Sequence, residues 1–136
     1  MPTSLAVLIV DDEFGLAPML RELLGESGYA VALATNGRLA LEIVRQRHVD
    51  LIITDLMMPV MDGLELAATL RASDPYRSIP IILMTSLPTA VPKHSGLFNV
   101  VLRKPFTPDA LLDAMDTCFN GHDPAGSSGN LFEDRE

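Results

Sequence analysis

Five short apolar runs recur along the chain, each too short to form a helix alone: Leu5–Val10, Tyr29–Ala34, Asp50–Thr54, Ile79–Thr85 and Leu97–Leu102. Leu5–Val10 reads LAVLIV. It lacks the polar alternation of a strand that faces water on one side, so it is expected to lie in a parallel sheet buried on both faces. Between the runs the apolar residues change to helical spacing, with Leu16, Met19, Leu20, Leu23 and Leu24 after the first and Ala40, Ile43 and Val44 after the second. Leu66, Ala67 and Leu70 follow the third run, and Leu111, Met115 and Cys118 follow the fifth. Strand alternating with helix predicts an α/β fold, a doubly wound parallel sheet covered on both faces with right-handed crossovers.

Local punctuation sets the expected boundaries. The first helix spans Phe14 to Ser27, with Pro18 tolerated in its first turn and Gly28 placed to stop it. Asn36-Gly37 reads as a turn ahead of a helix over Arg38 to Arg47. Asp62 is placed to cap a helix over Gly63 to Ala72. Pro88 and Pro92 leave little room for an uninterrupted helix between the fourth and fifth strands, so one turn or an irregular stretch is expected there. Thr107-Pro108-Asp109 supplies a cap, a first helical position and a first-turn acid for a last helix ending near Gly121. Residues 1–120 therefore read as one domain. Residues 121–136 are rich in Gly, Ser and Asp and read as a disordered tail.

Composition narrows the function classes. A chain of 136 residues fits one core, and with 48% hydrophobic but 5% aromatic residues and no Trp that core must be aliphatic. A formal net charge of -8 gives no electrostatic reason to bind nucleic acid or an anionic membrane. Cys118 is the single cysteine, which excludes an internal disulfide and reads as a half-buried thiol. The first residues carry no basic leader, and no stretch approaches the roughly 20 apolar residues of a membrane span. A cytoplasmic location is expected. His48, His94 and His122 lack metal-ligand spacing and read as surface residues.

In open α/β sheets ligands bind beyond the carboxyl ends of the strands. Asp11 and Asp12 follow the first strand, Asp55 the third, Thr85 ends the fourth and Lys104 follows the fifth. Taken singly, these are ordinary caps, strand-end hydroxyls and turn lysines. Together they bring three acids to one rim, where each close pair would repel by on the order of 4 kcal/mol at about 4 Å and an effective dielectric of about 20. Mg2+ or Mn2+ would relieve that repulsion. Asp55 can then attack phosphorus as a carboxylate nucleophile, with Lys104 neutralising charge and Thr85 donating a hydrogen bond to a phosphoryl oxygen.

At these residues the chain resembles the receiver domain of bacterial two-component response regulators, from Leu5 to about Asn120. The matching pieces are Val10-Asp11-Asp12-Glu13, the run from Asp55 through Met57, Pro59 and Asp62 to Gly63, then Thr85, and last Lys104-Pro105-Phe106. The resemblance implies a flavodoxin-like five-stranded sheet of order 2-1-3-4-5 and a phosphoacceptor at Asp55. It implies a metal held by Asp12, Asp55 and the backbone carbonyl of Met57, with Asp11 acting through water. Thr85 and Lys104 would grip the phosphoryl group, and Ser86 and a cis Pro105 would sit beside the site. The implied partners are a histidine kinase or histidine phosphotransfer protein and an unidentified downstream protein, for a monomer or weak dimer. Two departures stand out. Val101 occupies the switch position where family members usually carry Tyr or Phe, and the segment from Thr85 to Lys104 is short, with prolines where a fourth helix usually lies.

The leading expectation is a phosphoacceptor signalling domain rather than an enzyme, limited to self-phosphorylation and slow self-dephosphorylation. The alternative is a degenerate receiver that binds a partner regardless of phosphorylation. A flavin carrier or nucleotide hydrolase on the same architecture would need a phosphate-cradling loop after the first strand, where two acids stand instead.

Overall fold

A computed structural model describes residues 4–12, 16–90 and 96–120. The sequence expectations for Glu13 and Phe14, Pro92, His94, His122 and the tail 121–136 lie outside the described residues. The strands are β1 (Ala6–Val10), β2 (Ala30–Ala34), β3 (Leu51–Asp55), β4 (Ile81–Thr85) and β5 (Val100–Arg103). They form one parallel sheet of order β2-β1-β3-β4-β5. The helices are α1 (Leu16–Glu26), α2 (Gly37–Gln46), α3 (Gly63–Arg71) and α4 (Pro108–Asn120).

The period-two alternation of the strands splits the core into two layers. Leu8, Val10, Ile52, Ile81, Leu83 and Val101 face α2 and α3, whereas Val7, Ile9, Ile53, Ile82, Met84 and Leu102 face α1 and α4. The central strands β3 and β4 are buried throughout, which explains their continuous apolar runs.

Several boundaries differ from the sequence reading. Tyr29 precedes β2 rather than opening it, and stacks on Phe119 with ring centroids 5.8 Å apart. β4 begins at Ile81, not Ile79, because the Ile79 carbonyl accepts from the guanidinium of Arg71. β5 runs from Val100 to Arg103 instead of from Leu97, since the Leu97 carbonyl is also taken by Arg71. Met19 is 66% exposed and leaves the predicted apolar stripe of α1, whose buried face is Ala17, Leu20 and Leu24. Asn36-Gly37 is not a separate turn: Asn36 caps α2 by accepting from the Leu39 N–H at 2.9 Å, and Gly37 is its first residue. The α3 cap is a full capping box, with Asp62 and Glu65 each accepting from the other's backbone N–H. Among the described residues between β4 and β5 there is one 3-10 turn, at Pro88–Ala90, which opens on the first of the two prolines. Among the described residues no helix is long and apolar enough to cross a membrane.

Candidate phosphoacceptor site

The site lies at the carboxyl rim of the sheet, where β1 and β3 pair side by side with Val10 in register with Thr54. Asp11 and Asp12 leave the end of β1 as Asp55 closes β3. Oxygen atoms of Asp11, Asp12 and Asp55 all lie within 4.8 Å of one another. Asp11 and Asp55 are buried and Asp12 is exposed, so the cluster opens to solvent on one side.

The two buried acids are held by their surroundings. The Asp11 N–H donates to the Ala34 carbonyl at 3.0 Å, anchoring the turn out of β1 to β2. Asp55 Oδ1 accepts from the Leu56 N–H at 2.9 Å, and the buried Thr54 hydroxyl donates to the Asp55 carbonyl at 2.9 Å. Gly63 presses on that same backbone: a Cβ there would overlap the Asp55 carbonyl oxygen and come 3.2 Å from the Leu56 Cα. The Asp-Gly pair opening α3 therefore supplies the cap at Asp62 and the clearance at Gly63 that lets the helix start against the end of β3. Thr54 was missed in the sequence, where the one signal was a hydroxyl residue inside the apolar run LIIT.

Lys104 Nζ stands 3.3 Å from Asp55 Oδ1, with both side chains largely buried. Its own N–H donates to the Thr85 carbonyl at 2.8 Å, which ties the ends of β4 and β5 together. Thr85 is buried, and its Oγ1 accepts from the Leu87 N–H at 3.0 Å. A hydroxyl that accepts there still has its proton to donate. The Lys104-Pro105 peptide is cis, as the resemblance implied. Val101 is buried on the α2–α3 face. Met57 and Leu87 flank the rim at 72% and 62% exposure.

Three carboxylates against one ammonium leave a formal surplus of two negative charges. Hard oxygen donors with that surplus suit a divalent cation such as Mg2+, which keeps several waters and binds through one or two carboxylates. The arrangement provides a buried carboxylate, a facing ammonium and a neighbouring hydroxyl, the parts required for phosphoryl transfer to a side chain.

A doubly wound parallel sheet with this rim defines a signalling fold, and the family model for the response regulator receiver domain matches residues 7–116: the chain belongs to that family. It is 37% identical over 123 residues to the transcriptional regulatory protein GlrR of Escherichia coli, covering 88% of this chain but 27% of GlrR. It is 40% identical over 114 residues to the sensor protein EvgS of the same species, covering 82% of this chain and 9% of EvgS. The chain thus spans a small part of either relative. Among solved structures, the chemotaxis response regulator CheY4 of Vibrio cholerae superposes with a TM-score of 0.79 at 32% identity, over 85% of this chain and 99% of that one. The receiver domain of sensor histidine kinase PA1611 from Pseudomonas aeruginosa, which holds a magnesium ion in its active-site cleft, gives 0.78 at 26% identity, over 87% and 99%.

Proposed function

We propose that this chain is a phosphoacceptor in a two-component pathway, taking a phosphoryl group from a phosphohistidine donor onto Asp55. The observation that carries the reading is the buried Asp55 carboxylate lying within 4.8 Å of two further acids while Lys104 stands 3.3 Å away. An oxygen of Asp55 attacks phosphorus, the N–P bond of the phosphohistidine breaks, and the bonding pair leaves with the ring, which departs as neutral imidazole because its other nitrogen carries a proton. The product is a mixed anhydride, an aspartyl-phosphate, formed without net loss of charge or atoms.

Asp11, Asp12, Asp55 and the Met57 carbonyl are the residues that would hold Mg2+ or Mn2+. When bound, the ion supplies charge neutralisation at the phosphoryl oxygens. Lys104 holds the Asp55 carboxylate before transfer and a phosphoryl oxygen after it. Thr85 donates its hydroxyl proton to a second phosphoryl oxygen while keeping the Leu87 amide as its own donor. Histidine kinases or phosphotransfer proteins are the donor class. The signal passes onward through altered contact with a protein target, not through contact with nucleic acid.

Incubation with Mg2+ and acetyl phosphate or phosphoramidate tests this. One added phosphoryl mass is expected in the wild type and none in Asp55→Asn. A second reading, a receiver that binds its partner whether or not it is phosphorylated, is favoured by Val101 at the position of the usual aromatic switch. No adduct from small donors or a cognate kinase would leave that second reading in place of the first.

A further inference from the structure

The loop that leaves Asp55 contains a strained residue. Val60 has φ 71°, a left-handed value that a β-branched side chain rarely adopts. Met61 donates its N–H to the Pro59 carbonyl at 2.7 Å, closing a three-residue turn centred on Val60. The Val60 side chain is 72% exposed, so its own packing does not hold it there. Strain of this kind persists only where surrounding structure over-determines it.

The restraint comes from a different element. The Gly37 N–H, at the first position of α2, donates to the Met61 carbonyl at 3.0 Å. A Cβ on Gly37 would stand 2.7 Å from Met61 Cγ and 2.9 Å from the Met61 carbonyl oxygen. Gly37 is not among the positive-φ residues, so its backbone does not require glycine; the approach of Met61 does. Asn36 fixes this helix end by capping Leu39.

We infer that Gly37 is a positioning residue for metal binding: by gripping the Met61 carbonyl it holds the strained turn and so sets where the Met57 carbonyl lies. This rests on the metal assignment under the proposed function. A side chain at residue 37 pushes the loop outward and moves one ligand away from the three carboxylates. The acids themselves, Asp55 at the end of β3 and Asp11 and Asp12 just beyond β1, stay in place.

Calorimetric titration of the unphosphorylated protein with Mg2+ tests the inference, using wild type, Gly37→Ala and, as control, Gly25→Ala, whose added methyl meets no atom within 4 Å. Gly37→Ala is expected to weaken Mg2+ binding about tenfold, the scale of losing an outer support of a metal ligand, and Gly25→Ala to leave it unchanged. Melting in EDTA is recorded alongside: a purely structural glycine would lower the melting temperature and leave Mg2+ affinity as it was, which overturns the inference. Absence of Mg2+ binding in the wild type would instead overturn the metal assignment on which it rests. Should Gly37→Ala fail to fold, amide exchange on the wild type decides. Linkage requires Mg2+ to slow exchange of the Gly37 N–H; an unchanged rate overturns the inference.

Discussion

Lys104, the first residue after β5, reaches past the end of β4 to bring its Nζ within 3.3 Å of Oδ1 of Asp55 on β3. The pair is nine-tenths buried on the carboxylate side, at 10% exposure, so losing the ammonium leaves a charge that water screens poorly. Lys104→Met keeps the apolar stem and removes only the cation. In the absence of divalent metal it is expected to cost about 2–3 kcal/mol of stability. Mg2+ should restore part of that loss, because it supplies positive charge to the same carboxylates. Urea denaturation with and without Mg2+ measures both; a variant as stable as wild type in EDTA would show the pair to be energetically idle.

Asp12 is the exposed member of the acidic cluster, and its effect should change sign with metal. Without a cation it only adds repulsion, so Asp12→Asn is expected to stabilise the protein by about 1 kcal/mol or less. With a cation it is a proposed ligand. Wild type at about 100 times its dissociation constant gains roughly 2.7 kcal/mol from binding, most of which the variant forgoes. Melting curves of the two proteins should therefore cross in order between EDTA and saturating Mg2+. Curves that keep the same order in both would remove Asp12 from the metal site.

At the opposite end of the sheet, Arg71 ties together segments that the ladder leaves open. Its guanidinium donates to the carbonyls of Leu97 at 3.1 Å and of Arg77 and Ile79 at 2.7 Å, and to Asn99 Oδ1 at 2.9 Å. The Asn99 oxygen in turn accepts from the Ile81 N–H at 2.9 Å, so one side chain organises the entries of both β4 and β5. Arg71→Ala should cost about 3 kcal/mol, since several acceptors lose a charged donor together. Arg71→Lys should recover only part of this, because an ammonium cannot span the planar fork. Chemical denaturation of the two variants checks the ranking; equal stabilities would refute the fork argument.

Arg71 also illustrates what sequence reading cannot reach. The apolar runs and the acids at their ends were legible because burial on both faces and charge at a rim leave local signatures, as at LAVLIV followed by Asp11 and Asp12. Strand order was not readable from periodicity, which says nothing about neighbours; it came from the resemblance carried by Asp55, Thr85 and Lys104. The partners of Arg71 are backbone carbonyls, and any residue offers one. Gly37 reads as a turn glycine in the sequence because the atom that forbids its Cβ belongs to Met61, in the distant loop before α3. Met19 falls on the apolar stripe of the sequence yet faces solvent, because apolar spacing alone cannot tell a covered position from an uncovered one.

Cys118 on α4 gives a pH-dependent prediction with a definite sign. Burial raises its thiol from 9.0 to about 11, with the nearby Arg71 guanidinium pulling weakly the other way. The folded protein therefore keeps the thiol proton at pH values where the unfolded chain has released it. Stability from this group is fully present below pH 9 and is lost as pH rises toward about 11, because the unfolded state binds fewer protons in that window. Other groups titrate there too, so the test is a difference: wild type should lose stability with pH more steeply than Cys118→Ala over this range. Alkylation by iodoacetamide follows the same logic, since the thiolate is the nucleophile. The native thiol should react far more slowly near neutral pH than the urea-unfolded chain. Equal rates in the two states would mean that the packing of α4 against the sheet does not shield Cys118.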